Sequence, residues 1–147
     1  MLILHPHRVL LGSSVLDNVS LIAIDRSASR MIIDRGDGGP LPTFADAAEE
    51  TLSLRVVQHL TEHDLAPPRP GQLAALSWTT STAAADGQAR TFTVHVVVRS
   101  VRYDIPGARG ARPPAYSTSV ARTISLVALS PDGNSDPVSW VDDAPIP

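Results

Sequence analysis

The run Thr91-Phe92-Thr93-Val94-His95-Val96-Val97-Val98-Arg99 constrains the fold more than any other stretch of the chain. Phe92, Val94, Val96 and Val98 fall at every second position, and Thr91, Thr93, His95, Val97 and Arg99 lie between them. Period-two alternation sends alternate side chains to opposite sides of an extended backbone, whereas a helix face needs apolar residues three or four apart. Its β-branched and aromatic residues suit a pleated, half-buried surface. The run continues through Val101 to Tyr103, well beyond the usual strand of roughly five or six residues. A strand this long predicts a large curved sheet or a barrel.

Elsewhere, short apolar runs alternate with Pro, Gly, Asp and Ser, the pattern of strands joined by turns. Arg8 to Leu11, the turn Gly12-Ser13-Ser14 and Val15-Leu16 make a first hairpin. Asp17-Asn18 is a second turn, followed by a strand from Val19 to Ile24 with Ile22 and Ile24 on one face. Arg30 to Ile33 reads as a further strand, ended by the loop Asp34-Arg35-Gly36-Asp37-Gly38-Gly39-Pro40. Thr43 to Glu50 reads as a short helix, with Thr43 as cap, Asp46 at the third helical position and alanines after it. From Thr51 to Val57 polar and apolar residues alternate, which predicts a strand; a continuous helix from Phe44 to His63 is the competing reading. Gln72 to Thr80 is expected as a strand. Val120 to Leu129 is expected as the partner of the long strand, with Ile124, Leu126 and Ala128 on one side. The predicted fold is mainly β: a single antiparallel β-sandwich or barrel domain over residues 1–147 with at most one short helix. It carries an N-terminal arm over 1–7, a long hairpin loop over 104–119 and a C-terminal arm over 138–147.

A chain of 147 residues can bury a full core without staples. It has no cysteine, hence no disulfide and no thiolate metal site. The net charge of −3 offers no electrostatic attraction to nucleic acid or to an anionic membrane. All 12 basic residues are Arg, so Schiff-base, P-loop and Ser-Lys chemistry is excluded. The same Arg residues supply planar forks suited to subunit contacts. No apolar run approaches the ~18 residues of a membrane-spanning helix, and the first residues lack the basic segment of a signal peptide. Synthesis in the cytoplasm and no membrane partner are therefore expected.

His59-Leu60-Thr61-Glu62-His63 matches the H-x-x-E-H pattern of a family of zinc peptidases. On a helix, His59 and His63 would share a face and bind zinc, with Glu62 as base. No Glu follows Glu62, so the downstream ligand is missing, and the segment reads as a solvated strand end. His5 and His7 have strand spacing but no third ligand. Asp132-x-Asn134-x-Asp136 lacks the register and closing Glu of a calcium loop and reads as a turn. Arg35-Gly36-Asp37 is read as part of a turn. No nucleophile elbow, Walker sequence or dinucleotide fingerprint occurs, so no enzymatic activity, catalytic residue, metal or cofactor is expected. Aromatic residues make up 4% of the chain, too few for a stacking platform. Trp78 and Phe92 are expected in the core. Tyr103, Arg109, Arg112, Tyr116 and Trp140 are expected at subunit contacts, since large aromatics and Arg anchor interfaces.

The order of these features resembles the tail tube proteins of tailed bacteriophages. The resemblance rests on Gly71-Gln72-Leu73 opening a strand, the long Thr91–Tyr103 strand, an extended loop, and Thr123-Ile124-Ser125-Leu126-Val127-Ala128-Leu129-Ser130 leading into Asp132-Gly133. In the first half a short hairpin precedes a strand ending in Ile24-Asp25-Arg26-Ser27. The resemblance implies a β-sandwich or barrel with a flanking helix, closing into hexameric rings that stack into a DNA conduit within the virion, after assembly in the host cytoplasm. It implies copies of the same chain as partners, together with other tail or baseplate proteins, and transient passage of DNA without specific binding. Baseplate, tail-terminator and capsid-decoration proteins share such folds and are alternatives, as is a monomeric binding module.

Overall fold

The computed structural model describes residues 1–60, 68–80, 89–104 and 120–143. Nine strands account for most of them: β1 (Leu2–Leu4), β2 (His7–Leu11), β3 (Ser14–Val15), β4 (Val19–Asp34), β5 (Phe44–Leu60), β6 (Leu73–Thr79), β7 (Arg90–Asp104), β8 (Val120–Ala128) and β9 (Val138–Asp142). They form one antiparallel sheet in the order β1-β4-β5-β8-β7-β6-β2-β3, with β9 paired to β7. The sheet curls into a half-barrel. The mainly β antiparallel fold expected from the sequence is the fold observed.

The core fills the concave side of the curl. Val94, Val96 and Val98 of β7 are fully buried, as are Ile124 and Leu126 of β8, Leu54 and Val56 of β5, Ile22 of β4, and Leu76 and Trp78 of β6. Each set lies at every second position of its strand, so the alternation in the sequence maps onto one wall of one core. On the other face of β7, His95 and Arg99 are exposed and Val97 is half-buried. A register shift between Val98 and Ser100 then brings Val101 opposite Ile124, and Val101 packs against the core while the alternation changes parity.

Two tight corners hold the small strands. Gly12 takes φ +62° between β2 and β3, a conformation that costs glycine least. Asn18 takes φ 55° in the Asp17-Asn18 turn, and its carbonyl accepts from the His59 amide at 3.0 Å. Beside it Gln58 Nε2 donates to the Asp17 carbonyl at 2.7 Å, while Gln58 Oε1 accepts from Arg122 Nε at 3.1 Å. Gln58 and Arg122 face each other across β5 and β8, and both are buried.

The structure corrects the helix. Among the described residues there is none, and Thr43–Glu50 is not helical: from Phe44 onward it is the first half of β5. Thr43 does use its hydroxyl, but to close a loop rather than to cap a helix. Its amide donates to the Asp34 carbonyl at 2.9 Å, and its Oγ1 accepts from the Gly36 amide at 3.1 Å. That clasp places Phe44 opposite Asp34 and starts a ladder with β4, so pairing overrides the helix propensity of the alanines. The competing helix from Phe44 to His63 fails for the same reason over its described part. The two short strands expected at Val19–Ile24 and Arg30–Ile33 are one strand, β4. The expected terminal arms include paired strands: residues 2–4 join β4 as β1, and Val138–Asp142 joins β7 as β9.

Candidate assembly surface

β4 and β5 are longer than the sheet they belong to. β1 covers the outer edge of β4 from Leu21 to Ala23, and Met1 extends that cover to Ile24. β8 covers the outer edge of β5 from Ser53 to Leu60. Beyond those points the two strands pair, among the described residues, only with each other, from Arg26–Leu52 to Asp34–Phe44, with register shifts around Ala28, Arg30 and Met31. Every residue from Asp25 to Asp34 is exposed, and so are Phe44 to Glu50 except half-buried Ala47. The result is a two-stranded ribbon that leaves the half-barrel with two solvated faces and, among the described residues, two open edges. Open edges present unpaired amides and carbonyls to any incoming strand, and an isolated two-stranded ribbon is marginal in water. The ion pair between Arg30 and Glu49, at 3.8 Å and well exposed, adds little.

The far end of the ribbon is apolar on one face. Met31 lies opposite Ala47, and Ile33 opposite Ala45, so these four side chains share a side. Met31 and Ile33 are half exposed, at 50% and 51%. On the other face Ile32 and Phe44 mix with Asp46 and Asp34. Arg35-Gly36-Asp37 lies beyond them at the tip, exposed.

The base of the ribbon is tied to the loop between β8 and β9. Both of those strands pair with the same edge of β7, β8 from Val96 onward and β9 up to Val94. Residues 130–137 therefore form an excursion from an otherwise continuous edge. Asp132 holds it: its carboxylate accepts from the Asn134 amide at 2.9 Å, the Ser135 amide at 2.7 Å, the Ser135 hydroxyl at 2.7 Å and the Ser130 hydroxyl at 3.1 Å. The Ser135 hydroxyl and amide, then the Asn134 amide, hold its pKa far below the carboxylate range. These are the contacts of a turn, and no metal-ligand cluster occurs among the described residues. At the end of the loop Asp136 meets Arg26 of β4 at 2.6 Å. Its pKa is lowered, first by the Val138 amide and then, against the effect of burial, by the Arg26 guanidinium.

Next to that ion pair a groove of about 350 Å³ opens between β4 and β9. Met1, Ile24, Phe92, Val138 and Trp140 line it together with the paired Arg26 and Asp136. Phe92 stands between two tryptophans in register, stacked on Trp78 at 5.3 Å and 4° and tilted against Trp140 at 6.3 Å. The row runs from a fully enclosed Trp78 to a Trp140 that is 59% exposed. β9 pairs with β7 alone among the described residues, so its outer edge is open beside the groove.

Of the residues expected at subunit contacts, the two described ones, Tyr103 and Trp140, lie at different ends of β7. Trp140 lies on the groove. Tyr103 is half-buried at the other end of β7, opposite Arg122. Arg109, Arg112 and Tyr116 lie outside the described residues, as does most of the expected 104–119 loop. Of the zinc candidates, His59 is exposed on β5 opposite Ala121, in a strand rather than a helix; Glu62 and His63 lie outside the described residues. The sequence reading missed the apolar face of Met31, Ile33, Ala45 and Ala47. Its signal was present as two alternating pairs, but the alanine pair was read as helix.

No protein-family model matches the chain, and no curated protein matches it.

Proposed function

We propose that this protein is a structural virion component that assembles with copies of itself, as stacked rings in the tail tube of a tailed bacteriophage. The observation that carries the reading is the β4–β5 ribbon, which among the described residues has two open edges, two solvated faces and an apolar tip. A free monomer gains nothing from such an element and risks uncontrolled association through it. In an assembly the neighbouring copies complete it. The feature order in the sequence points to the tail tube within the wider class of self-assembling phage proteins. Rings of this kind conduct DNA without gripping it, and the net charge of −3 is in keeping with that. Partners beyond the chain itself are other tail or baseplate proteins.

A sizing column and negative-stain images of the purified protein test this. Rings or tubes are the expected result. A strictly monomeric species at high concentration would overturn it.

A further inference from the structure

We infer that residues 2–11 form a strap tying the two ends of the curled sheet, and that the strap opens at its joint, His5 to Arg8, so that β1 leaves β4 while β2 stays in the core. The inference concerns the single chain and goes beyond the self-assembly reading, on which it does not depend. In the sheet, β1 lies at one end and β2, with its hairpin partner β3, at the other; β4, β5, β8, β7 and β6 stand between them. Yet β1 ends at Leu4 and β2 starts at His7. The three backbone steps from one to the other reach about 11 Å at most. The curl therefore brings the two ends of the sheet close together, and His5-Pro6 spans what is left.

The two halves of the strap are held unequally. β2 sends Val9 and Leu11 into the core, at 2% and 3% exposure. Beside them the Gly12 amide donates to the Ala75 carbonyl and the Leu16 amide to the Val9 carbonyl, each at 2.8 Å. β1 buries no side chain fully: Ile3 is half-buried, and Leu2 and Leu4 are exposed. Its backbone meets β4 only from Leu21 to Ala23, extended by the Ile24 amide on the Met1 carbonyl at 2.8 Å and the His5 amide on the Ser20 carbonyl at 3.0 Å. The joint between the halves is strained. His5 and Arg8 take φ 49° and 47°, a left-handed conformation that a residue with a Cβ adopts at a cost. Pro6 has no amide to donate, and the ladder between β2 and β6 is interrupted between His7 and Leu10. A strained corner between a weakly held and a strongly held segment is where local opening begins. When β1 leaves, the cost at His5 is released. The outer edge of β4 is then bare, among the described residues, in one run from Leu21 to Asp34. Met1 leaves the wall of the groove between β4 and β9 at the same time. The strap thus sets how much of the β4 edge the fold presents.

Amide exchange followed by NMR tests this, at a dilution where sedimentation shows single chains. The Ile24 and His5 amides should share one protection factor, roughly 100-fold below that of Val94 to Val98, while Gly12 and Leu16 stay protected. Ile3→Ser removes the one half-buried side chain of β1 and should speed Ile24 exchange by roughly another tenfold, leaving Val94 to Val98 unmoved. His5→Gly keeps the left-handed corner without its steric cost and should slow Ile24 exchange roughly threefold. Ile24 and His5 amides as protected as the core, with Ile3→Ser speeding core exchange equally, would make β1 part of one cooperative unit and overturn the opening. Release of Gly12 and Leu16 together with Ile24 would overturn the joint, because the whole strap would then leave. Faster Ile24 exchange in His5→Gly would overturn the strain assigned to that corner.

Discussion

Trp78 is completely enclosed, yet its indole nitrogen has no hydrogen-bond partner among the described residues. Its contribution is therefore packing, against Phe92 above all. Trp78→Ala should destabilise the fold by about 3–5 kcal/mol, read from denaturant unfolding. Trp78→Phe should cost clearly less, because it also removes the orphaned donor. Gln58 is the opposite case, a buried amide with both ends engaged. Gln58→Leu strips one acceptor from a buried guanidinium and the donor from the Asp17 carbonyl, and should cost about 1–3 kcal/mol in the same assay. Asp132 sets a pH dependence. Its pKa is depressed in the folded chain below the ordinary 3.8. Its contribution is thus complete above that ordinary value and is lost only as pH falls through the depressed one. The Asn134 and Ser135 amide resonances should keep their positions in an NMR titration down to about pH 3, where free carboxylates are already protonating.

At the scale of elements, the ribbon and the half-barrel are separable. No residue of β4 beyond Ile24 is buried. Replacing residues 28–50 by Asn-Gly, a pair suited to a two-residue hairpin turn, keeps the Arg26–Asp136 tie and the whole core. The melting temperature should move by less than roughly 4 °C, while self-association should disappear from sedimentation profiles. A collapse of the fold would instead make the ribbon part of the core. The half-barrel was the legible part of the sequence. Alternating Val94, Val96 and Val98, and Ile124 with Leu126, announced both strand and buried face, because the core imposes period two on every strand that lines it. The ribbon was not legible, for the same reason. With both faces in water, Asp25 to Ser29 needs no apolar alternation and splits β4 into two short expected strands, while Ala45 to Glu50 reads as a helix by propensity. Only the ladder between them makes either a strand. The interface candidates divided similarly. Trp140 stood out as a large aromatic and lies on the groove. Met31 and Ile33 read as strand residues, without any hint that no described residue would cover them.

At the scale of the whole molecule, the sheet curls without closing, and its two longest strands overshoot it. Barrels remove their edges by closure. Among the described residues this fold leaves edges at β9 and along the ribbon, which other copies would finish under the proposed function. Hydrogen exchange on the backbone tests that most directly. In assembled protein, the amides of residues 25–34 and 44–51 should exchange slowly, approaching those of Val94 to Val98, and dilution to monomer should release the ribbon amides alone. Fast exchange of the ribbon at every concentration, with the core still protected, would contradict self-assembly through the ribbon.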